Sequence, residues 1–254
     1  LDLLGEEVNN RRGITKTTES YCNLIEGIAN SGVKCNVSLK LTALGLRIDK
    51  GLCWDNLSVI LDKAKIYNTF IRMDMEDAGV TESTIDMCNR AVKYYDNCGT
   101  VLQSYMYRTE SDIDLLKKNP NTNIRLCKGA YKESKDVAFQ KYDEIRQNYI
   151  LCAEKMIKNN VYSCFATHDK WIIERLLNIL EKNNYPKNNC EFQALSGVPI
   201  DKTLEDLISK GYTVRYYIPY GPDWYAYSLR RIRENPDIWQ DTLKAFFFRS
   251  KHRK

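Results

Sequence analysis

The chain is predicted to fold as a (β/α)8 TIM barrel, distorted and with an added C-terminal helix. Eight short runs rich in β-branched and aromatic residues alternate with eight helical runs, and no Gly, Pro or Ser-rich linker divides them. The fingerprints of an open nucleotide-binding sheet are missing, since no GxGxxG follows a strand and no Walker A sequence occurs. With 254 residues, 43% of them hydrophobic, the chain is long enough to bury one such core, so 1–254 is expected to form a single barrel domain.

Strands are expected at 1–4, 35–41, 69–74, 100–105, 123–128, 162–167, 191–195 and 213–218, where β formers cluster. The last of these stops at Pro219, with Gly221 and Pro222 beyond. Helical patterning falls near 16–30, 54–67, 81–96, 109–118, 143–159, 169–183, 202–210 and 223–234, and Pro236 ends the eighth helix. A further helix is expected near 237–249.

Parallel strands buried on both faces should be almost wholly apolar, yet here one face of most strands turns polar. Asn36, Ser38 and Lys40 alternate with Val37, Leu39 and Leu41, and Arg72 and Asp74 with Ile71 and Met73. Val101, Gln103 and Tyr105 share a face, as do Asn123, Arg125 and Cys127. The same spacing groups Ser163, Phe165 and Thr167, then Glu191, Gln193 and Leu195, then Arg215 and Tyr217. In a barrel the upper members of these sets converge on the C-terminal mouth, where chemistry is done.

Composition removes several classes. The net charge is +5, but Arg249, Lys251, Arg253 and Lys254 supply four of those charges, too few elsewhere for a nucleic-acid-binding body. Nine widely spaced cysteines without a CxxC read as reduced thiols of a cytosol-like compartment, neither a disulfide framework nor a zinc site. Only His168 and His252 are present, so a His-based triad or multi-His metal site is not expected. No apolar run is long enough to span a bilayer. The run Phe246 to Phe248 reads either as cover over a barrel end or, with the basic tail, as a peripheral contact at the inner face of a membrane.

The charged residues at the strand ends carry the chemistry. Lys40 and Asp74 read as a structural ion pair, a Schiff-base nucleophile with its partner, or a charge-balanced substrate contact; Lys128 brings the same choice. A guanidinium inside a barrel needs a carboxylate or an anionic ligand, and the negative charge of a reduced flavin would satisfy Arg125. Gln103 reads equally as a satisfied buried amide or a flavin contact. His168 reads as a loop or cap residue, or as a phosphate ligand beside a helix start. On the helix after the last strand Tyr227, Arg230, Arg231 and Glu234 share one flank, where paired guanidinium groups suit a carboxylate.

Seven segments in order, VSLKLTALGL, FIRMDMED, VLQSYMYRT, IRLCKGAYKE, FATHD, EFQALSGV and VRYYIPYGPDWYAYSLRRIRENP, resemble the flavin-dependent proline dehydrogenase family in its monofunctional form, over 1–234. The resemblance implies a distorted barrel with FAD over the C-terminal strand ends and L-proline as substrate, oxidised to Δ1-pyrroline-5-carboxylate. Electrons would pass on to a membrane quinone. It implies Arg125 near the flavin N5, Gln103 against the ring and ribityl chain, and Lys128, Gly129, Ala130, Thr167 and His168 around the rest of FAD. Glu234 would close over the ribose or pair with an arginine. Arg230, Arg231 and Lys40 would hold the proline carboxylate, with Asp74 balancing Lys40, while Tyr131, Leu195, Tyr217 and Tyr227 enclose the pyrrolidine ring. Asp74 and Arg125 are the expected catalytic residues. Ser196 stands where the family commonly has a larger residue, and the family's N-terminal helices and part of the first strand are expected to be lacking. Rival readings are a 4-hydroxyproline dehydrogenase, a Schiff-base lyase or aldolase, and an inactive scaffold without FAD.

Overall fold

The computed structural model describes residues 1–4, 8, 10–198 and 200–221. Nine strands pair in parallel throughout: β1 (Asp2–Leu3), β2 (Val37–Lys40), β3 (Ile71–Asp74), β4 (Cys98–Gln103), β5 (Asn123–Cys127), β6 (Tyr162–Ala166), β7 (Cys190–Leu195), β8 (Thr213–Tyr217) and β9 (Pro219–Tyr220). Their order is β8-β7-β6-β5-β4-β3-β2-β1-β9. Because β9 follows β8 after one residue, the two ends of that order are one stretch of chain, and β1 closes the ring between β9 and β2. Two backbone bonds seal the seam, Asp2 N–H to Ile218 O (3.1 Å) and Leu4 N–H to Tyr220 O (2.7 Å). The expected barrel is therefore present, with the eighth strand broken at Ile218.

Among the described residues, seven α-helices return the chain between strands: α1 (Arg11–Ser31), α2 (Lys50–Ile66), α3 (Ala78–Ala91), α4 (Thr109–Leu116), α5 (Tyr142–Lys158), α6 (Lys170–Lys182) and α7 (Asp201–Ser209). The first three begin earlier than apolar spacing suggests, because Asn10, Asp49 and Asp77 accept from the backbone N–H groups of Gly13, Leu52 and Gly79 and cap the helices there. The expected helices at 223–234 and 237–249 lie outside the described residues.

The apolar core lies between the ring and the helices. Val37, Leu39, Ile71, Met73, Ile124, Leu126 and Phe165 are fully buried and pack with Ile25, Leu57, Ile60, Ile113, Met156 and Leu176. One expected face is corrected on β6. Cys164, not Phe165, points into the ring: its Sγ meets Arg72 and Asn123, whereas the Phe165 ring packs on Phe192 and, through it, Tyr212. The polar set on this strand is offset by one residue because burial of the larger ring against the helices decides the register.

Candidate active site

Strand pleating aims Ser38, Asp74, Arg125, Gln193 and Tyr217 into the ring, and together they form one bonded unit. The Arg125 guanidinium donates to Asp74 Oδ1 (2.8 Å), Gln193 Oε1 (2.6 Å) and Ser38 Oγ (3.2 Å). The Tyr217 hydroxyl donates to the other Asp74 oxygen at 2.9 Å, and its ring centre lies 5.1 Å from the guanidinium carbon. Burial works against the charge on Arg125, but Asp74 together with Tyr217, Cys164 and Cys127 outweighs it and holds the pKa above its ordinary value. With both oxygens engaged, Asp74 is an anchor that fixes the guanidinium and the phenol ring.

Asp74 is bonded to Arg125 and Tyr217, not to Lys40, on which it acts only from a distance. Asp74 and Lys40 are register neighbours on β3 and β2, but the Lys40 stem reaches the other way across β2 to Asp2, with Nζ 3.1 and 3.3 Å from its carboxylate oxygens. Asp2 was missed as a site residue, although its place between Leu1 and Leu3 already put it on a polar face. Burial raises the Asp2 pKa while Lys40 pulls it down; Lys40 is held above its ordinary value because Asp2 and Asp74 outweigh burial. The Lys40 side chain is 26% exposed, so it remains within reach of a ligand.

At the mouth the loop after β5 turns at Gly129, whose φ of 121° suits glycine and whose Cα lies flat against the Tyr105 ring, where a Cβ would overlap it. Gln103 locks this loop to the end of β3. Its Nε2 donates to Glu76 O (2.8 Å) and its Oε1 accepts from the Ala130 N–H (3.4 Å), so its amide serves the frame of the site. Tyr131 is 38% exposed at the rim, and Leu195 ends β7 beside Tyr217.

The remaining rim residues are ordered by Asp169, which sequence reasoning passed over. Its buried carboxylate accepts from Arg146 (2.7 and 2.9 Å) and from the Tyr142 hydroxyl (2.6 Å), and pairs with Lys128 at 3.4 Å. Burial opposes ionisation, but the bonds from Arg146 and Tyr142 and the Lys128 charge bring its pKa down to about 2. The Thr167 hydroxyl accepts from the Asp169 N–H at 3.1 Å. His168 Nε2 accepts from the Leu195 N–H at 2.9 Å, which places the ring proton on Nδ1. Burial and the nearby Lys128 charge lower its pKa, so the imidazole is a neutral strut between β6 and β7.

Two further charged groups face the ring, one partly exposed and one buried. Arg215 donates to Glu191 at 2.9 to 3.2 Å, and Glu191 in turn accepts from Gln193. Arg72 is 1% exposed and donates to Thr100 O (3.1 Å), Asn123 O (3.0 Å), Asn123 Oδ1 (2.7 Å) and Cys164 Sγ (3.3 Å), all neutral. The rule that an interior guanidinium has a carboxylate or an anion thus holds for Arg125 and Arg215 and not for Arg72. Tyr227, Arg230, Arg231 and Glu234 lie outside the described residues, as does Phe246 to Phe248.

The donor set at the mouth suits FAD. Lys128, the Nδ1–H of neutral His168 and the loop from Lys128 to Ala130, half-buried at Lys128 and Gly129 and exposed at Ala130, lie at the mouth beside the charged interior, as an anionic dinucleotide carrying a polar ring requires. Against known proteins, residues 1–242 match the model of the proline dehydrogenase family. Proline dehydrogenase 2 of Bacillus subtilis is 39% identical over 236 residues, 93% of this chain and 77% of the relative. The proline dehydrogenase of Deinococcus radiodurans is 38% identical over 241 residues, with the same coverage. Among solved structures, proline utilization A of Bdellovibrio bacteriovorus inactivated by N-propargylglycine superposes with a TM-score of 0.82 at 24% identity, over 92% of this chain and 29% of that one. A proline utilization A of Bradyrhizobium japonicum gives 0.80 at 22% identity, over 92% and 28%. This chain therefore spans under a third of those longer proteins, and their likeness concerns the distorted barrel alone. The family match and the curated relatives settle membership: the chain belongs to the proline dehydrogenase family of oxidoreductases.

Proposed function

We propose that the chain oxidises L-proline to Δ1-pyrroline-5-carboxylate, the first step of proline catabolism. FAD, when bound, supplies the hydride acceptor, and a membrane quinone takes the electrons onward. The observation that carries this reading is the Arg125–Asp74–Tyr217 unit, held inside a barrel of this family with the partly exposed Lys40 side chain near it. Lys40, kept charged by Asp2, attracts a carboxylate, and Arg230 and Arg231 are proposed to complete its clamp. Tyr217, fixed by Asp74 and Arg125, gives one rigid aromatic wall for a pyrrolidine ring, Leu195 an apolar one, and Tyr131 and Tyr227 are proposed to finish the enclosure. Rigid walls and a clamped carboxylate leave the ring one orientation, which is how such a site accelerates a hydride transfer without a strong acid or base. Lys128, Gly129, Ala130, Thr167, His168 and Glu234 are proposed to hold FAD, with Gln103 supporting from beneath.

An anaerobic absorbance spectrum of the FAD-loaded chain, before and after addition of L-proline, tests this directly. The expected result is a flavin band that bleaches with proline. A band indifferent to proline removes the substrate, and a chain that takes up no FAD removes the cofactor.

A further inference from the structure

Among the described strand residues, Arg72 is the interior cation without a bonded carboxylate. Among the described residues that point into the ring from the strands, three carboxylates face four cations: Asp2 is bonded to Lys40, Asp74 to Arg125, and Glu191 to Arg215. Arg72 is left over. Glu191 and Asp74 attract it, but each is bonded to its own arginine. Its guanidinium occupies the space that Gly99 leaves by lacking a side chain, where a Cβ would sit 2.9 Å from Nη1. In the strand registers Arg72 lies beside Gly99 and Ser38, while Arg125 lies beside Val101, two residues nearer the mouth. Burial lowers the Arg72 pKa, with Arg125 repelling it from above, yet an arginine cannot shed its charge near neutral pH. Its hydrogen bonds reach β4, β5 and β6, but cross-linking three strands asks only for N–H donors. Placing a full charge there without a bonded carboxylate is the expensive way to obtain them.

We propose that the positive charge of Arg72, which no bonded carboxylate offsets, favours electron gain by the flavin at the mouth. The charge acts through space, in a low-dielectric ring where it is poorly screened. This rests on the function proposed above. The test is the midpoint potential of the bound flavin in wild type, Arg72→Gln and Arg72→Lys, with melting curves to confirm folding. Arg72→Gln is expected to lower the reduced-to-oxidised ratio at a fixed potential about tenfold, a shift of about 30 mV for a two-electron couple. Arg72→Lys, which keeps the charge and loses the fork of donors, is expected to stay near the wild-type potential. An unchanged potential in Arg72→Gln, or equal shifts in both variants, overturns the proposal and leaves Arg72 a structural cross-link. Should Arg72→Gln not retain flavin, Asn123→Asp neutralises the guanidinium in place and is expected to lower the potential likewise; no shift there is equally decisive against it. A wild-type chain that binds no flavin removes the functional reading itself, whereas a flavoprotein with an unmoved potential removes only this one.

Discussion

Arg125 and Arg72 are buried in the same ring on strands two apart, one row above the other, and their surroundings differ in kind. Arg125 has a carboxylate at 2.8 Å that is itself bonded to a phenol, and its pKa is raised. Arg72 has carbonyls, an amide and a thiol, and its pKa is lowered. The upper arginine is part of a charge-neutral unit whose geometry matters, so its carboxylate holds it still. The lower one donates from both Nη groups but leaves its buried Nε without a partner and has no bonded carboxylate, so its field extends beyond its contacts. Position in the ring explains the division, because a ligand entering at the mouth meets the ordered pair and feels the unpaired charge.

The largest expected effect comes from making the upper arginine resemble the lower. Asp74→Ala leaves Arg125 buried without its carboxylate and removes the acceptor of Tyr217, and the loss in unfolding free energy is expected at about 3–5 kcal/mol. Urea denaturation measures it, and a loss below about 1 kcal/mol, the scale of a surface pair, would show that Gln193 and Ser38 suffice to hold Arg125. Proline turnover is expected to fall by at least about 10²-fold, since the guanidinium and the phenol both lose their fixed positions.

The same contrast shows what can be read from sequence. Period-two alternation exposed the polar interior on most strands, including Arg72, Asp74 and Arg125 themselves, because a strand gives every second residue the same face. It failed on β6, where Cys164 and Phe165 are both apolar enough to face either way and packing on Phe192 decided. Pairing was less legible than facing. Lys40 and Asp74 read as a pair from their places at the strand ends and from the family resemblance, but a long lysine stem chooses among several carboxylates, and the one it bonds is Asp2 on β1. Asp169 stayed hidden because its partners, Lys128, Tyr142 and Arg146, come from the end of β5 and from α5, a convergence that no local spacing records. The early starts of α1, α2 and α3 were legible in principle from the Asx caps at Asn10, Asp49 and Asp77.

A middle-sized effect attacks the lower arginine alone. In Gly99→Ala the new methyl overlaps the Asn123 carbonyl and crowds Arg72 Nη1 at 2.9 Å, so the guanidinium or the backbone of β5 must move. Overpacking of this kind is expected to cost about 1–3 kcal/mol. Thermal unfolding reads the loss, while the Arg125 unit, a row higher, stays intact and catalysis falls far less than in Asp74→Ala. Equal loss of turnover in the two variants would mean that the rows are mechanically coupled and that the contrast between them is not local.

The smallest expected effect sharpens the comparison with a carboxylate whose cations sit at the rim. Asp169 has an ordinary pKa of 3.8 when unfolded and about 2 when folded, because Arg146, Tyr142 and Lys128 favour its charged form. A group whose folded pKa is depressed contributes stability that is fully present above the unfolded value and is lost as pH falls through the folded one. The gap in melting temperature between wild type and Asp169→Asn is therefore expected to be constant from neutral pH down to roughly pH 4 and to close between there and pH 2. Lys128 and Arg146 are partly exposed, so solvent screens the contribution and added salt narrows the gap further. The Asp74–Arg125 pair, with about a tenth of each side chain exposed, is expected to respond far less to salt. If salt moved both variants alike, the interior pair would be as wet as the rim, and the low-dielectric ring on which the role of Arg72 depends would not exist.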